Sequence, residues 1–260
     1  MATYSHSKLE TFEKCKLKFK YRYIDKIIPE IQKTIEAQLG TCVHAALEWL
    51  YNQVLEGKTP QITEVIEYYS ENWLGSYSPE VVIVNKNMEV GDYFSKGVEF
   101  LLSYYKKHQP FKDNTIATEK KIEINLDEKG ERKIIGFVDR IVYDIEKNEI
   151  EIHDYKTSGS AFLKDPNEND RQLALYSLAA KELFGKDKEV CMIWHFLAHD
   201  KEVCLRRTNE QLEKTKQDAI KLIDEIENTK NFPANPSRLC DWCEYKNICP
   251  AIKGQKQLGI

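Results

Sequence analysis

The sequence has no apolar run long enough to cross a bilayer. Of its 260 residues, the longest apolar stretches, such as 173–180, fall far short of the roughly 20 that a spanning helix needs. A membrane-embedded protein is therefore not expected. The opening MATYSHSKLE lacks the apolar segment and small-residue cleavage site of a secretory signal, so the expected location is cytoplasmic. Positive charge is not in excess either: 38 Lys and Arg against 42 Asp and Glu leave a net charge of -4. That excludes coating nucleic acid by bulk charge, although a local basic groove remains open. There is no internal repeat, no low-complexity block and no Gly/Ser linker, which fits a single domain with a sizeable core. In a reducing compartment the seven cysteines are expected as thiols or metal ligands rather than disulfides.

Patterning carries the information. The stretch SHSKLETFEKC reads as a short helix capped by Ser5 or Ser7. Val43, Leu47, Leu50 and Val54 recur at helical spacing over 40–55, with Gly57 as a stop. Residues 63–107 predict two or more further helices, interrupted near 75–79. From Ala117 the period becomes that of strands. TEKKIEINL, KIIGFVDRIVYD and EIEIHDYKT, separated by turn-like DEKGE and EKN, predict a three-stranded antiparallel meander. A helix over 169–184, strands over 189–197 and 202–207, a charged helix over 209–229 and a cysteine-bearing tail follow. Helices, then a sheet, then helices on that sheet predict an α/β fold.

Within the third strand, HDYK places an acid and a lysine two residues apart. In extended backbone Asp154 and Lys156 project to one face while Tyr155 points to the other. Across the EKN turn, the expected register sets Asp154 opposite Arg140 or Val142, with Asp139 a near neighbour. Two ionised carboxylates at one sheet edge repel, and a divalent cation removes that cost. Oxygen ligands suit magnesium or manganese. Lys156 could then stabilise charge on a phosphate or orient water, which are the tasks of phosphodiester hydrolysis. The plain alternative is a surface ion pair in an ordinary strand.

GFVDRI, then HDYKTS, then QLALY resembles the nuclease domain of the RecB-type branch of the PD-(D/E)xK nucleases. The resemblance spans most of the chain from Ser5 to Pro250, apart from residues 58–110. It implies a restriction-endonuclease-like core with a mixed central sheet flanked by helices, a helical insertion at 58–110 and a tail at 237–260. It implies Asp139, Asp154, the Tyr155 carbonyl and His44 (in GTCVHAALE) as ligands of Mn2+ or Mg2+, and Lys156 as the catalytic lysine. The imidazole tilts the preference toward manganese. Gln172 and Tyr176, at i and i+4, share a helix face that can meet a nucleic acid backbone.

The tail LCDWCEYKNICP holds Cys240, Cys243 and Cys249 close together. Three thiolates need a fourth, and spacing cannot choose among Cys15, Cys42, Cys191 and Cys204. A four-thiolate site suits a 4Fe-4S cluster or zinc. The resemblance to iron-sulfur members, such as AddB-type subunits and CRISPR-adaptation nucleases, implies a 4Fe-4S cluster with Cys15 as the fourth ligand, joining the chain ends as a structural staple. Cys42, Cys191 and Cys204 are then small buried apolar residues.

The run KCKLKFKYRY interleaves Lys14, Lys16, Lys18, Lys20 and Arg22 with Phe19, Tyr21 and Tyr23. It reads either as a single-strand contact or as a solvated segment anchored by its aromatics. The expected activity is a metal-dependent deoxyribonuclease acting as an exonuclease on single-stranded DNA, in repair, recombination or CRISPR adaptation. The alternatives are a non-catalytic DNA-binding or assembly subunit beside a helicase or CRISPR-adaptation partner, and a zinc-bearing regulator.

Overall fold

Period-two and period-3.6 patterning yield the elements expected of them. The computed structural model describes residues 2–29, 34–78, 81–85, 87–159 and 171–252. Pro79, the expected helix start at Asn169 and residues 253–260 of the tail lie outside these.

The first strand, β1 (Ala2–Tyr4), leads into α1 (His6–Lys14), where the Ser5 hydroxyl accepts from the Lys8 amide. Cys15 separates α1 from α2 (Lys16–Phe19), which runs on into a wider π-type turn at Lys20–Ile24. α3 spans Ile35–Leu55 and starts earlier than its central stripe implies. Thr34 caps it, accepting from Ala37, and Ile35 and Leu39 extend the buried face. The helical region continues as α4 (Ile62–Ser76) and α5 (Val90–His108).

The expected meander is β2 (Thr115–Asn125), β3 (Arg132–Asp144) and β4 (Glu149–Lys156). Then come α6 (Arg171–Phe184), β5 (Glu189–Phe196), β6 (Lys201–Leu205) and α7 (Asn209–Asn228), with a 3-10 turn at Arg238–Trp242.

The sheet is mixed, in the order β1-β3-β4-β5-β6, with β2 also on β3. β1 and β3 run parallel, as do β4 and β5, and the other pairs are antiparallel. β2 occupies one edge of β3 along 133–142, so β1 at 132–134 and β4 at 140–144 must share the other. Between them a stretch of β3 has no ladder partner on that edge. Helices cover the sheet as two apolar clusters. One joins α1, α6 and α7 to the strands, through residues such as Leu9, Ile134, Leu173 and Ile223. The other packs α3, α4 and α5 around Leu47, Tyr69 and Leu101, and receives Tyr155 and Leu197 from the sheet side.

Two expectations are corrected. The β3–β4 register pairs Arg140 with His153, not with Asp154. The ladder closes at Asp144–Glu149 around a turn in which Asn148 takes a left-handed φ of 54°, and this turn geometry sets the offset. Cys191 and Cys204 are joined in a disulfide rather than being separate buried apolar residues. They lie on neighbouring strands with Cα atoms 6.2 Å apart, within bridging range, and Cys204 sits on the exposed side of edge strand β6. Cys42 is buried as expected.

Candidate active site

The β3–β4 ladder stops at Arg140 and His153, just where the two motif acids begin. Beyond it a side chain takes the place of a carbonyl: Asp139 Oδ2 accepts the Tyr155 amide at 2.8 Å. α3 delivers His44 to the same point. Its Nε2 donates to the Tyr155 carbonyl at 2.8 Å, and its Nδ1 lies 3.4 Å from Asp139 Oδ2. On the face that alternation dictates, Lys156 Nζ lies 2.6 Å from Asp154 Oδ2. The Tyr155 ring goes the other way, its hydroxyl 3.2 Å from that of Tyr104 and 3.0 Å from Arg140 Nε.

α6 completes the rim. Gln172 Nε2 reaches both Asp154 Oδ1 at 3.4 Å and Tyr176 Oη at 3.2 Å, as their i, i+4 spacing requires. Tyr176 packs closely on β3 where residue 136 is glycine. A Cβ there would stand 2.7 Å from Tyr176 Cε1.

Burial and charge set the site's electrostatics. Burial raises the pKa of Asp154; Lys156 opposes this and Asp139 adds to it. Burial would also raise Asp139, but the His44 hydrogen bond and charge, the Tyr155 amide and Lys156 outweigh it and hold this carboxyl below the usual range. Burial works against a charged His44, yet Asp139, Asp154 and the Tyr155 carbonyl push its pKa up to about 9. An imidazolium thus balances the acids.

A residue that sequence patterning did not single out joins them. Glu119 on β2 brings its carboxylate within 4.8 Å of ligand atoms of both His44 and Asp139. It has a left-handed φ of 41°, and its pKa is pushed up to about 7 by burial and then by Asp139 and Glu48. Its signal was the β2–β3 register, in which Thr118 and Lys120 pair with Arg140 and Val138, leaving Glu119 level with Asp139. An open cleft of about 450 Å3 beside it is lined by Gly40, Thr41, His44, Ala45, Glu48 and Glu119.

Residues 3–250 match the model of the PD-(D/E)XK nuclease superfamily. The chain belongs to this superfamily. The nuclease is also similar to the crystal structure of a "putative exonuclease" from Eubacterium rectale, at 14% identity over 93% of this chain and 86% of that one, with a TM-score of 0.52. At that identity the likeness speaks for the fold, which is the mixed α/β, restriction-endonuclease-like arrangement expected. A second structure, named SSO0001, aligns at 14% identity over 82% of this chain and 84% of its own, with a TM-score of 0.38, too low to support an argument. No curated protein matches the chain.

PD-(D/E)XK nucleases use divalent metals, and the donors present fit one. Carboxylate oxygens of Asp139 and Glu119, the Tyr155 carbonyl and one imidazole nitrogen of His44 converge at the site, and Asp154 stands beside this group, close enough for Asp139 to raise its pKa. No described helix is long and apolar enough to cross a membrane.

The N-terminal segment and the described part of the cysteine-bearing tail meet at a separate cavity. Cys15, Cys240, Cys243 and Cys249, all free thiols, line one cavity of about 260 Å3. Contacts between the ends enclose it: Leu17 N donates to Pro233 O, Asn235 Nδ2 to Lys14 O, and Tyr245 Oη to Ile27 O. The basic run nearby is engaged within the chain. Lys14 pairs with Glu10, Lys16 with Glu225, Lys18 with Glu244 and Lys20 with Asp25, all at 2.7 Å. Phe19 is buried against Phe12, Tyr23 and Phe232, and Tyr21 packs on Tyr245. This favours the anchored-segment reading over a surface for stacking bases.

Proposed function

We propose that the chain is a metal-dependent deoxyribonuclease that degrades single-stranded DNA from its ends. The observation that carries the reading is the meeting of His44, Asp139 and the Tyr155 carbonyl where β3 and β4 part, with the Asp154–Lys156 ion pair beside them. In this reading His44, Asp139, Asp154 and the Tyr155 carbonyl hold one Mn2+ or Mg2+, with Glu119 at its edge. When bound, the ion supplies Lewis-acid charge to the scissile phosphodiester and lowers the pKa of water. Lys156 sets an ammonium beside the reacting phosphate, where it offsets developing negative charge. Asp154 holds that ammonium in place, and Gln172 in turn bonds Asp154. Gln172 and Tyr176 offer an amide and a hydroxyl to the DNA backbone, positioning the strand without reading its sequence.

A 4Fe-4S cluster on Cys15, Cys240, Cys243 and Cys249 belongs to the same reading. Four free thiols around a cavity of about 260 Å3 leave room for a polynuclear cluster, where a lone zinc ion would need almost none. It would staple the tail from 237 onward to the N-terminal segment. The helices within 58–110 would then be an insertion that backs the site from the Tyr155 side of the sheet. The setting is DNA-end processing in repair, recombination or CRISPR adaptation, beside a helicase or adaptation partner and in the cytoplasm.

The test is a time course on end-labelled oligonucleotides, single- and double-stranded, with either end blocked, in Mn2+ and in Mg2+. Asp154→Asn and Lys156→Ala should each slow cleavage by about 100-fold or more and leave the melting temperature nearly unchanged. Parent protein that cuts nothing in either metal, or variants that cut as well as the parent, would refute the reading.

A further inference from the structure

Behind the active site, on the helical side of the sheet, lies a second group of ligand-bearing side chains that the nuclease chemistry does not use. His108 ends α5, His195 sits on β5 and Glu202 on β6, and one ligand atom from each lies within 4.8 Å of the others. His108 Nε2 is 3.0 Å and His195 Nδ1 3.5 Å from the same oxygen, Glu202 Oε1. Tetrahedral zinc with bonds of 2.0–2.1 Å separates its ligands by about 3.3 Å. The observed spacing brackets that value.

Hydrogen bonding fixes which His195 nitrogen is available. Arg140 Nη2 lies 2.8 Å from His153 Nδ1, and a guanidinium only donates, so that nitrogen must accept. His195 Nε2 is 2.8 Å from the same His153 Nδ1 and must therefore carry a hydrogen. In neutral His195, 2% exposed, Nδ1 is then a bare lone pair aimed at a carboxylate oxygen. Two electron-rich atoms facing each other in a buried setting need a cation or a proton between them. The outward Nε2–H bond is also the support that metal-bound imidazoles usually have. A cavity of about 10 Å3, lined in part by Tyr104, His108, His195 and Glu202, has the volume of one water and offers a fourth position.

We propose that His108, Glu202 and Nδ1 of His195 form a zinc-binding site that clamps the end of α5 onto β5 and β6. Lys107 Nζ is 2.9 Å from Glu202 Oε1 and competes for that oxygen. Its side chain is 40% exposed and can swing into water when zinc binds. The chain His195, His153, Arg140, Tyr155 Oη then connects the clamp to the residue whose carbonyl meets His44.

Cobalt titration of the chelator-stripped full chain, followed by zinc displacement, tests this in a His44→Ala, Asp139→Asn, Glu119→Gln background that removes all three members of the acidic ligand group. Cobalt on two imidazoles and a carboxylate gives d–d bands without thiolate charge transfer, which separates it from cobalt on the cysteines. One thiolate-free equivalent per chain is expected, displaced by zinc and lost in Glu202→Gln. Lys107→Ala should tighten zinc about three- to tenfold by removing an adjacent positive charge. This exposed change acts in the opposite direction and does not depend on the folding of Glu202→Gln. The proposal is overturned if the parent shows no thiolate-free cobalt signal, if Glu202→Gln keeps it, or if Lys107→Ala leaves zinc affinity within twofold.

Discussion

Gly136→Ala is the smallest change that should disturb both the fold and the site. The new Cβ would lie 2.7 Å from Tyr176 Cε1 and 3.0 Å from its hydroxyl oxygen, where ordinary contact begins at 3.4 Å. Tyr176 is 6% exposed on a helix whose neighbouring residues are also buried, so the ring cannot simply turn outward. Overpacking of this kind costs about 1–3 kcal/mol. Alanine returns about 0.4–1 kcal/mol by narrowing the unfolded ensemble, leaving a net loss centred on about 1.3 kcal/mol. For a chain of this size that lowers the melting temperature by roughly 3–5 °C. Displacing Tyr176 also loosens Gln172 from Asp154, a charge-assisted bond whose loss is worth about tenfold in cleavage rate. Denaturant unfolding and oligonucleotide cleavage of Gly136→Ala, Tyr176→Ala and the double variant close a thermodynamic cycle. With the ring gone, Gly136→Ala should become neutral or mildly stabilising, so the pair couples by at least about 1 kcal/mol. Additivity within about 0.5 kcal/mol, or a Gly136→Ala protein more stable than the parent, would refute the reasoning.

Cation binding at the acidic site should release a proton. His44 is held charged, its pKa pushed up to about 9, and a ligand must be neutral, so apparent Mn2+ affinity should rise about tenfold per pH unit from 7 and level off above about 9. Calorimetry in two buffers of different ionisation heat would show the release, and affinity flat across that range would contradict it. Cys15→Ala should abolish bound iron and sulfide while the remaining thiols persist, as read by iron analysis and visible absorbance. Unchanged iron content would remove Cys15 from the proposed cluster. Gly97→Ala places a Cβ 2.0 Å from the hydroxyl oxygen of buried Tyr69 and should destabilise by about 1–3 kcal/mol in denaturant unfolding; no loss would mean that α4 and α5 pack otherwise. Arg140→Met strips donors from Tyr155 Oη, His153 and Asp113 and should destabilise by about 2–4 kcal/mol, which the same unfolding measurement would check.

The elements that sequence made legible are those with a long, clean period. The meander, α3 and α7 each repeat their apolar pattern over several turns or strand steps, and the acid–lysine pair follows from alternation alone. What escaped depends on long-range geometry. Three-residue β1 is too short to show a period, and its partner is residues 132–134 of β3. The parallel pairing of β4 with β5 joins strands separated by all of α6. Glu119 lies in an alternating charged run in which nothing local marks it, and only the β2–β3 register brings it beside Asp139. The Cys191–Cys204 bridge likewise rests on the β5–β6 pairing rather than on a spacing motif.

The two motifs in the sheet are built to serve both of its faces at once. In extended backbone, neighbours point to opposite sides, so the pair Asp139-Arg140 sends a carboxylate to the acidic site and a guanidinium into the helical cluster. Asp154-Tyr155-Lys156 does the same with two charged groups and one ring. On the hidden face Arg140 Nε bonds the Tyr155 hydroxyl, while at the site edge Asp139 accepts the Tyr155 amide. Adjacent residues of one strand thus hold a single residue of the next, Tyr155, by two bonds where the backbone ladder has ended. A strand end released from its ladder would ordinarily fray. These bonds let β3 and β4 part wide enough to expose polar groups to a phosphate while Tyr155, whose carbonyl meets His44, stays fixed. The buried polar cluster around Arg140 is therefore the physical counterpart of the opening in the sheet, and the position of the acidic site follows from both.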